Sequence, residues 1–461
     1  MQIVFIEDNS EKAFNQVFVG ENHQQAFADI QHFANYSIKE LLEGNSNLLV
    51  FPHSLKEVRD QFDNSVICNL KGSVDKLEKT QLETFNIMGF IGCKGTELRI
   101  RSRFAKNDKN DYFLHYMLQK VFSINVMNLK VGKDDESVFD FLLYLFPHYL
   151  RKALSQGIYR EYCQREYNDD RIRGSIDISR HIRSNIPFNG KIAYRTREYS
   201  CDNRVTQLIR HTIEYILTTP QSSILKNDLE TRDCVSKICG VTQSYNQRNR
   251  YQVLSQNIKT IRNPYFSEYT ILQKLCINIL NHRKIKYGEK NNQVYGILFD
   301  GAWLWEEYLW TVLHKAGFEH PQNKLGTNRW YLFENHKYPR YPDFYNDSLI
   351  LDAKYKRLAV VDDEDRLNRS VSRDDMHQMI CYMHISDKER NGCFLFPDAE
   401  NSMGETLCYE IGMLNGFGGK ISLCGFPVPK VQDNLNYKSF VEKMKASEDS
   451  IVKKLSAYSP K

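Results

Sequence analysis

The 461-residue chain contains no C-x-x-C pair among its 11 cysteines, and the closest two, Cys234 and Cys239, have no partner pair at zinc spacing. A zinc ribbon and a thioredoxin-like redox site are therefore excluded. The cysteines read as reduced core residues of a cytoplasmic protein. Long hydrophobic runs are also missing. The best apolar stretch, Val138 to Leu150, is interrupted by Asp140 and Pro147 and falls short of the ~20 residues a bilayer span needs. No basic residue precedes the short apolar run in MQIVFIEDNSEKAF, so neither a secretory leader nor a membrane partner is expected. No G-x-x-x-x-G-K-[ST] occurs, which leaves the chain without a phosphate-cradling loop and without a nucleotide site of its own. Repeats and low-complexity tracts are absent too. The net charge of +5 is too small over this length to assign a partner by itself.

What is present divides the chain. Its length suggests about three domains, and the pattern predicts an α+β multidomain protein. Residues 1–130 read as an N-terminal mixed α/β domain. Residues 131–290 form a mainly helical, basic connecting region, residues 291–430 an α/β domain with a central mixed sheet, and residues 431–461 a polar helix with a frayed tail. In the first domain, Phe85 to Ile91 and Glu97 to Arg103 read as a hairpin closed by Gly92-Cys93-Lys94-Gly95-Thr96. Period-two alternation places Arg99, Arg101 and Arg103 on one face, away from Leu98 and Ile100. In the second, the helical pattern around Leu142, Leu143 and Phe146 is expected to be disturbed at Pro147, and RIRGSIDI at 171–178 reads as a strand. Between Arg151 and Arg210 there are thirteen Lys or Arg against seven Asp or Glu. That local excess makes this region the first place to look for nucleic-acid contacts, with Arg171, Arg173 and Arg204 as candidates.

The chemistry concentrates in Tyr341-Pro342-Asp343-Phe344-Tyr345-Asn346-Asp347-Ser348-Leu349-Ile350-Leu351-Asp352-Ala353-Lys354-Tyr355-Lys356. Two short strands flank a turn at Asn346-Asp347-Ser348, and each carries an acid. Asp352 and Lys354 are two apart, so they share a strand face, while Ala353 points into the opposite layer. Two close carboxylates repel, and a divalent cation is the natural way to keep both ionised. Hard oxygens suit Mg²⁺, with Mn²⁺ as a substitute. Lys354 would orient or help deprotonate the attacking water and offset charge on a phosphate. A third acid is expected from the preceding helix, whose apolar positions 302, 305, 309, 312 and 316 define a buried stripe. Glu306 beside that stripe is favoured, with Glu307 as the alternative. Downstream, a polar loop at 361–374 leads to a helix on which Gln378 and Tyr382 share a face. Gln378 offers an amide to the site. Tyr382 and Lys356 are further candidate DNA contacts, and His377 is set aside as a surface histidine.

A bare D-x-K is a weak signal; its order with the other elements is stronger. A helical Glu, P-D, strand D-x-K, Q-x-x-x-Y on a helix and then apolar strands at Cys393 to Phe396 and Ile421 to Phe426 resemble the PD-(D/E)xK nuclease superfamily. Further upstream, MGFIGCKGTELRIRSRF (88–104), GIYREYCQREYNDDRIRGSIDI (157–178), EYSCDNRVTQLIRHTIEYIL (198–217), NPYFSEYTILQKL (263–275), LWEEYL (304–309) and YPD…LDAKYK (341–356) resemble the McrC family, the nuclease subunits of McrBC- and LlaJI-type restriction systems. The resemblance covers roughly residues 85–430. It implies a Mg²⁺-dependent endodeoxyribonuclease of anti-phage defence, with Asp343, Asp352 and Glu306 on the metal and Lys354 and Gln378 in catalysis. It also implies docking on a McrB-like AAA+ GTPase or ATPase ring that the N-terminal part stimulates, and double-stranded DNA as substrate. LRIRSRF lacks the Pro-Lys that commonly follows the second strand in the family, so no pore-contacting residue is carried over, and residues before 85 are not aligned. Cutting both strands with single-site domains further implies transient pairing of two nuclease domains. Two other readings stay open at this point: a stand-alone nuclease of DNA repair or RNA processing, and a non-catalytic nucleic-acid-binding adaptor.

Overall fold

A computed structural model describes residues 2–19, 22–45, 48–52, 65–72, 79–105, 111–122, 137–286, 294–321, 328–358, 371–386, 388, 391–399, 404–416, 418–430 and 436–456. The chain forms two compact units, one built from Met1–Gly132 with Lys290–Lys461, the other from Lys133–Glu289. The first unit is continuous in space and discontinuous in sequence. Its architecture is α+β, with several sheets.

Two sheets dominate the first unit. In the six-stranded sheet the order is Phe18–Val19, Gln2–Glu7, Thr96–Arg101, Ile87–Cys93, Val294–Asp300 and Leu48–Phe51. The strand just past residue 291 thus belongs with the N-terminal strands, pairing antiparallel to Ile87–Cys93. Glycine permits that close pairing: at Gly89, with φ +124°, a Cβ would lie 2.2 Å from the Ile297 carbonyl oxygen. The hairpin read from sequence is present but tighter than expected. Cys93 faces Thr96, leaving only Lys94-Gly95 in the turn. Arg99 and Arg101 are half-buried rather than fully solvated: Arg99 pairs with Glu97 at 2.6 Å and Arg101 lies 4.1 Å over the Phe5 ring. Arg103 falls beyond the strand end and is buried against Asp8.

The five-stranded sheet is mixed, in the order Phe344–Tyr345, Leu349–Ala353, Asn391–Asp398, Lys420–Pro427, Leu407–Met413. The three central strands run parallel and the two outer ones antiparallel. Parallel strands buried on both faces read as near-continuous apolar runs, and LILDA and ISLCGF follow that pattern except at Asp352 and Ser422. Helix Arg373–Ile385 covers one face, with Met379 and Tyr382 among Ile350, Phe394, Phe396, Ile421 and Leu423. Helix Gly301–Leu313 covers the other, its Trp305 and Tyr308 rings set edge-on to Phe426 at 5.6 and 5.9 Å. Its buried stripe is Gly301, Leu304, Trp305, Tyr308, Leu309, Val312 and Leu313; Ala302 is only half-buried, so the stripe is rotated from the one expected.

One expectation needs correction and two are refined. The tail expected after residue 456 lies outside the described residues. The expected C-terminal helix is present as Tyr437–Ser456, with Phe440, Val441, Met444, Ile451 and Leu455 buried. It is therefore part of the core, with Glu448 accepting hydrogen bonds from Tyr116 and Tyr308 at 2.8 and 3.0 Å. Not every cysteine is reduced: Cys408 and Cys424, directly opposed on neighbouring strands, form a disulfide. The second unit is mainly helical, as expected, with strands added beyond the one read from sequence. It holds a three-stranded sheet of Ser175–Ile176, Ile192–Ser200 and Glu161–Asp169, the last two paired antiparallel over nine residues. Only Ser175–Ile176 of the expected RIRGSIDI strand is extended and paired. Around the sheet stand helices that include Ser137–Ser155, Arg204–Leu217, Leu229–Val241 and Ser267–Lys286. Pro147 lies inside the first of these without ending it. Burial of Leu143, Phe146, Tyr149 and Leu150 on neighbouring turns offsets the backbone bond that proline removes.

Candidate active site

The hairpin that carries the two acids is closed by Asn346, whose Oδ1 accepts from the Ser348 and Leu349 amides at 3.0 and 2.9 Å. This side-chain turn fixes the register Phe344 to Leu351. Asp343 precedes the first strand. Its Oδ2 accepts from the Ala353 amide at 2.7 Å, and its own carbonyl sits 2.6 Å from His320 Nδ1, with the His320 ring stacked on Phe344. Asp352 shares the parity of Ile350, so it projects on the face covered by helix Arg373–Ile385.

There the charged groups converge. Lys354 Nζ is 2.6 Å from Asp352 Oδ2 and 3.2 Å from Asp375 Oδ1. It also donates to Gln378 Oε1 at 3.4 Å. Gln378 Nε2 donates to the Tyr382 hydroxyl at 2.9 Å, and that hydroxyl donates to the Tyr341 carbonyl at 2.9 Å. The expected Gln-x-x-x-Tyr face thus backs the lysine and ties its helix to the segment just before Asp343. Lys356 pairs with the far oxygen of Asp375 at 2.7 Å.

Electrostatics follow from burial. Desolvation, reinforced by the neighbouring Asp352 charge, pushes the Asp343 carboxyl up to about 7, against the opposing pull of Lys354 and the Ala353 amide. Burial raises Asp352 as well, with Lys354 acting in the other direction. Burial disfavours the Lys354 ammonium, but the Asp352 and Asp343 carboxylates outweigh it and hold its pKa above the ordinary lysine value. Lys354 is accordingly a cation near neutral pH, suited to meeting developing negative charge more than to accepting a proton. Partial burial opposes ionisation of Asp375, yet hydrogen bonds from Lys356 and Ser372 with the charge of Lys354 bring it down to about 2.

These residues fit a hard divalent cation. Two carboxylates, Asp352 buried and Asp343 half-buried, lie close enough that each disfavours ionisation of the other, and Asp352 Oδ2 is buried without an aligned hydrogen bond despite the nearby ammonium. Among the described residues no group of three or more His, Cys, Asp or Glu side chains is assembled for a metal. A two-carboxylate site is what Mg²⁺, which retains several waters, commonly uses.

Not every predicted residue arrives at this place. Glu306 is half-buried on the helix covering the other face of this sheet. Glu307 accepts from Trp303 Nε1 at 3.1 Å. Tyr382 is buried beneath the site, so it serves the site from below instead of offering a surface to DNA. Arg204 is spent inside its own unit, donating to the Gln256 and Lys259 carbonyls at 2.8 and 3.0 Å. Arg171 and Arg173 are exposed, Arg173 lying 3.9 Å from Asp169. His377 is exposed. Most of the loop expected at 361–374 lies outside the described residues. Sequence reasoning missed Asp375, although Ser372-x-x-Asp375 is a helix-start pattern: the Asp375 amide donates to Ser372 Oγ at 3.1 Å, which orients the acid toward both lysines.

A sequence profile described as the McrBC 5-methylcytosine restriction system component matches residues 82–397. The chain belongs to this family. No curated protein matches it. Among solved structures it is similar to McrC in a refined half-complex from a tetradecameric assembly of Thermococcus gammatolerans McrB AAA+ hexamers with bound McrC, at 16% identity, 97% of this chain, 99% of that chain and a TM-score of 0.49. A cryo-EM structure of the Thermococcus gammatolerans McrBC complex is similar at 14% identity over 68% of this chain and 88% of that one, with a TM-score of 0.34. Likeness of that grade adds nothing to the assignment, which rests on the profile. Membership in the McrBC family agrees with the resemblance seen in sequence. Among the described residues no helix is long and apolar enough to cross a membrane.

Proposed function

We propose that this McrBC-family chain is a PD-(D/E)xK-type endodeoxyribonuclease subunit that hydrolyses DNA phosphodiesters with Mg²⁺ and works with a separate AAA+ NTPase ring. The observation that carries the reading is the meeting of Asp343, Asp352 and Lys354 at one strand end, with Gln378 backing the lysine. Bound there by Asp343 and Asp352, Mg²⁺ supplies Lewis-acid polarisation of a phosphate oxygen and acidifies water. The protein's own share is then distinct. Asp343 and Asp352 hold the cation and set its place relative to Lys354. With a cation held by the two carboxylates, the Lys354 ammonium would donate to the phosphate oxygen that gains charge. Gln378 fixes the lysine's direction, and Asp352 and Asp343, with a smaller contribution from Asp375, keep it protonated.

The motor is proposed as a separate chain because no P-loop occurs in this one and because the family is that of one component of a restriction system. Docking through residues 1–130 and pairing of two nuclease domains for double-strand breaks belong to the same proposal. Co-purification with an AAA+ partner, followed by plasmid cleavage with NTP and Mg²⁺, tests it. Cleavage that Lys354→Ala abolishes while complex formation survives supports the nuclease. Cleavage unchanged in Lys354→Ala, or none from the wild-type complex on methylated and unmethylated plasmids, sinks it and favours the adaptor.

A further inference from the structure

Directly after Lys354 the chain runs into the N-terminal sheet. Tyr355 is buried, its ring edge-on to Phe104 at 5.0 Å and under the Arg103 guanidinium at 5.1 Å. Its hydroxyl is 2.7 Å from Ser102 Oγ and donates to Met88 Sδ at 3.1 Å. Ser102 and Arg103 leave the end of Thr96–Arg101, and Asp8 leaves the end of the parallel neighbour Gln2–Glu7. Arg103 clamps these two ends together, its amide and Nε donating to Asp8 at 2.5 and 2.8 Å and its Nη2 to Asn86 at 2.5 Å. Arg357, three residues past the lysine, donates to the Arg103 carbonyl at 2.6 Å and to Glu7 at 3.1 Å. Helix Gly301–Leu313 starts against the same ring: a Cβ on Gly301 would lie 2.8 Å from the Tyr355 ring, and the Gly301 amide donates to the Asn86 carbonyl at 2.8 Å.

This knot has more buried polar atoms than anchoring a loop requires. Asp8 is fully buried and Arg103 nearly so, and a charge pair removed from water holds its geometry only while every partner stays in place. The segment from Asp352 to Arg357 is short and is fixed at both ends: Lys354 by its amide to the Leu395 carbonyl at 2.8 Å, and Tyr355 and Arg357 by the N-terminal strand ends. A displacement of those ends has no slack to take it up before it reaches the lysine.

We infer that Tyr355 and Arg357 are positioning residues that make the placement of Lys354 depend on the N-terminal sheet, so that whatever engages that sheet regulates cleavage. The inference rests on the nuclease reading. Its test is single-turnover DNA cleavage by the full chain in complex with its AAA+ partner, with Tyr355→Phe, Ser102→Ala and the double variant. Tyr355→Phe keeps the ring and its packing and removes one hydroxyl. Because small misplacements of a reacting group are costly, the cleavage rate is expected to fall about tenfold with unchanged DNA affinity. The double variant should be no slower than the slower single, since both remove the same link. Hydrogen exchange at the Ala353 and Lys354 amides should speed up in each, and stimulation of the partner's NTPase should persist. A wild-type cleavage rate in Tyr355→Phe overturns the inference while leaving the nuclease reading intact. So does additive slowing accompanied by loss of NTPase stimulation and a lowered melting temperature, which marks general damage. Should Tyr355→Phe not fold, Ser102→Ala alone decides by the same rate and exchange measurements. Absence of cleavage by the wild-type complex removes the nuclease reading itself, and this inference with it.

Discussion

The sheet around Asp352 and the ribbon around Tyr162 make opposite use of strand alternation. In LILDA all five residues are buried, so the single acid in the run is desolvated, its pKa rises, and it needs partners. In EYCQREYND burial alternates between half-buried and exposed, and the charges pair where solvent reaches one or both partners, as Arg180 and Arg195 do with the half-exposed Glu166. Buried charge is tightly constrained by its surroundings; exposed charge is not. The first arrangement concentrates chemistry, and the second leaves a surface on which Tyr162 and Tyr199 sit 63% and 57% exposed, their rings 5.1 Å apart.

The largest predicted difference between the two regions is in activity. Lys354→Ala should cost about 10³-fold or more in cleavage rate, the order seen when a charge-stabilising donor is deleted, whereas Arg197→Ala on the ribbon should leave the rate per bound complex unchanged; a gel-based cleavage assay at saturating DNA reads both. Stability should divide the same way. Trp305→Ala, which empties the layer against Phe426, is expected to cost about 3–5 kcal/mol in urea unfolding, and Tyr162→Ala within about 0.5 kcal/mol. Equal losses would mean that the ribbon is as well packed as the sheet.

A smaller effect appears in pH. Asp343 is raised from its ordinary value to about 7, so between about pH 4 and pH 7 the folded chain holds a proton that the unfolded chain has released. Its contribution to stability is therefore present at low pH and declines as pH rises through that window. Asp343→Asn should flatten the decline in thermal melts, and added Mg²⁺ should raise the melting temperature more at pH 8 than at pH 5. A Mg²⁺ effect that is the same at both pH values would separate the cation from this carboxyl. The smallest effect concerns salt. If exposed Arg173 meets a phosphate and Arg204, tied to two carbonyls, does not, Arg173→Ala lowers the slope of log affinity against log salt by about 1. Arg204→Ala leaves that slope alone and lowers stability.

How much of this was legible in the sequence tracks the same contrast. The Asp343 and Asp352 hairpin could be read because Asn346-Asp347-Ser348 is strong turn chemistry between two apolar runs, and parity then put Asp352 and Lys354 together. Gln378 and Tyr382 followed from helical spacing. The ribbon was illegible because neither face of Glu161–Asp169 is apolar, so no period-two hydrophobic signal exists to reveal it. Asp375 was missed for a related reason: its role depends on which helix face meets which strand, a tertiary fact that its local sequence records only as a cap. The joining of Val294–Asp300 to the N-terminal strands was equally hidden, because pairing across some two hundred residues leaves no local trace.

The central claim is that Asp343 and Asp352 act together as one cation site. Calorimetric titration of the purified chain with Mg²⁺ at pH 8, repeated with Asp352→Asn, tests it most directly. The account predicts one ion bound per chain in the wild type and none in the variant. Equal stoichiometry and affinity in both proteins would contradict it.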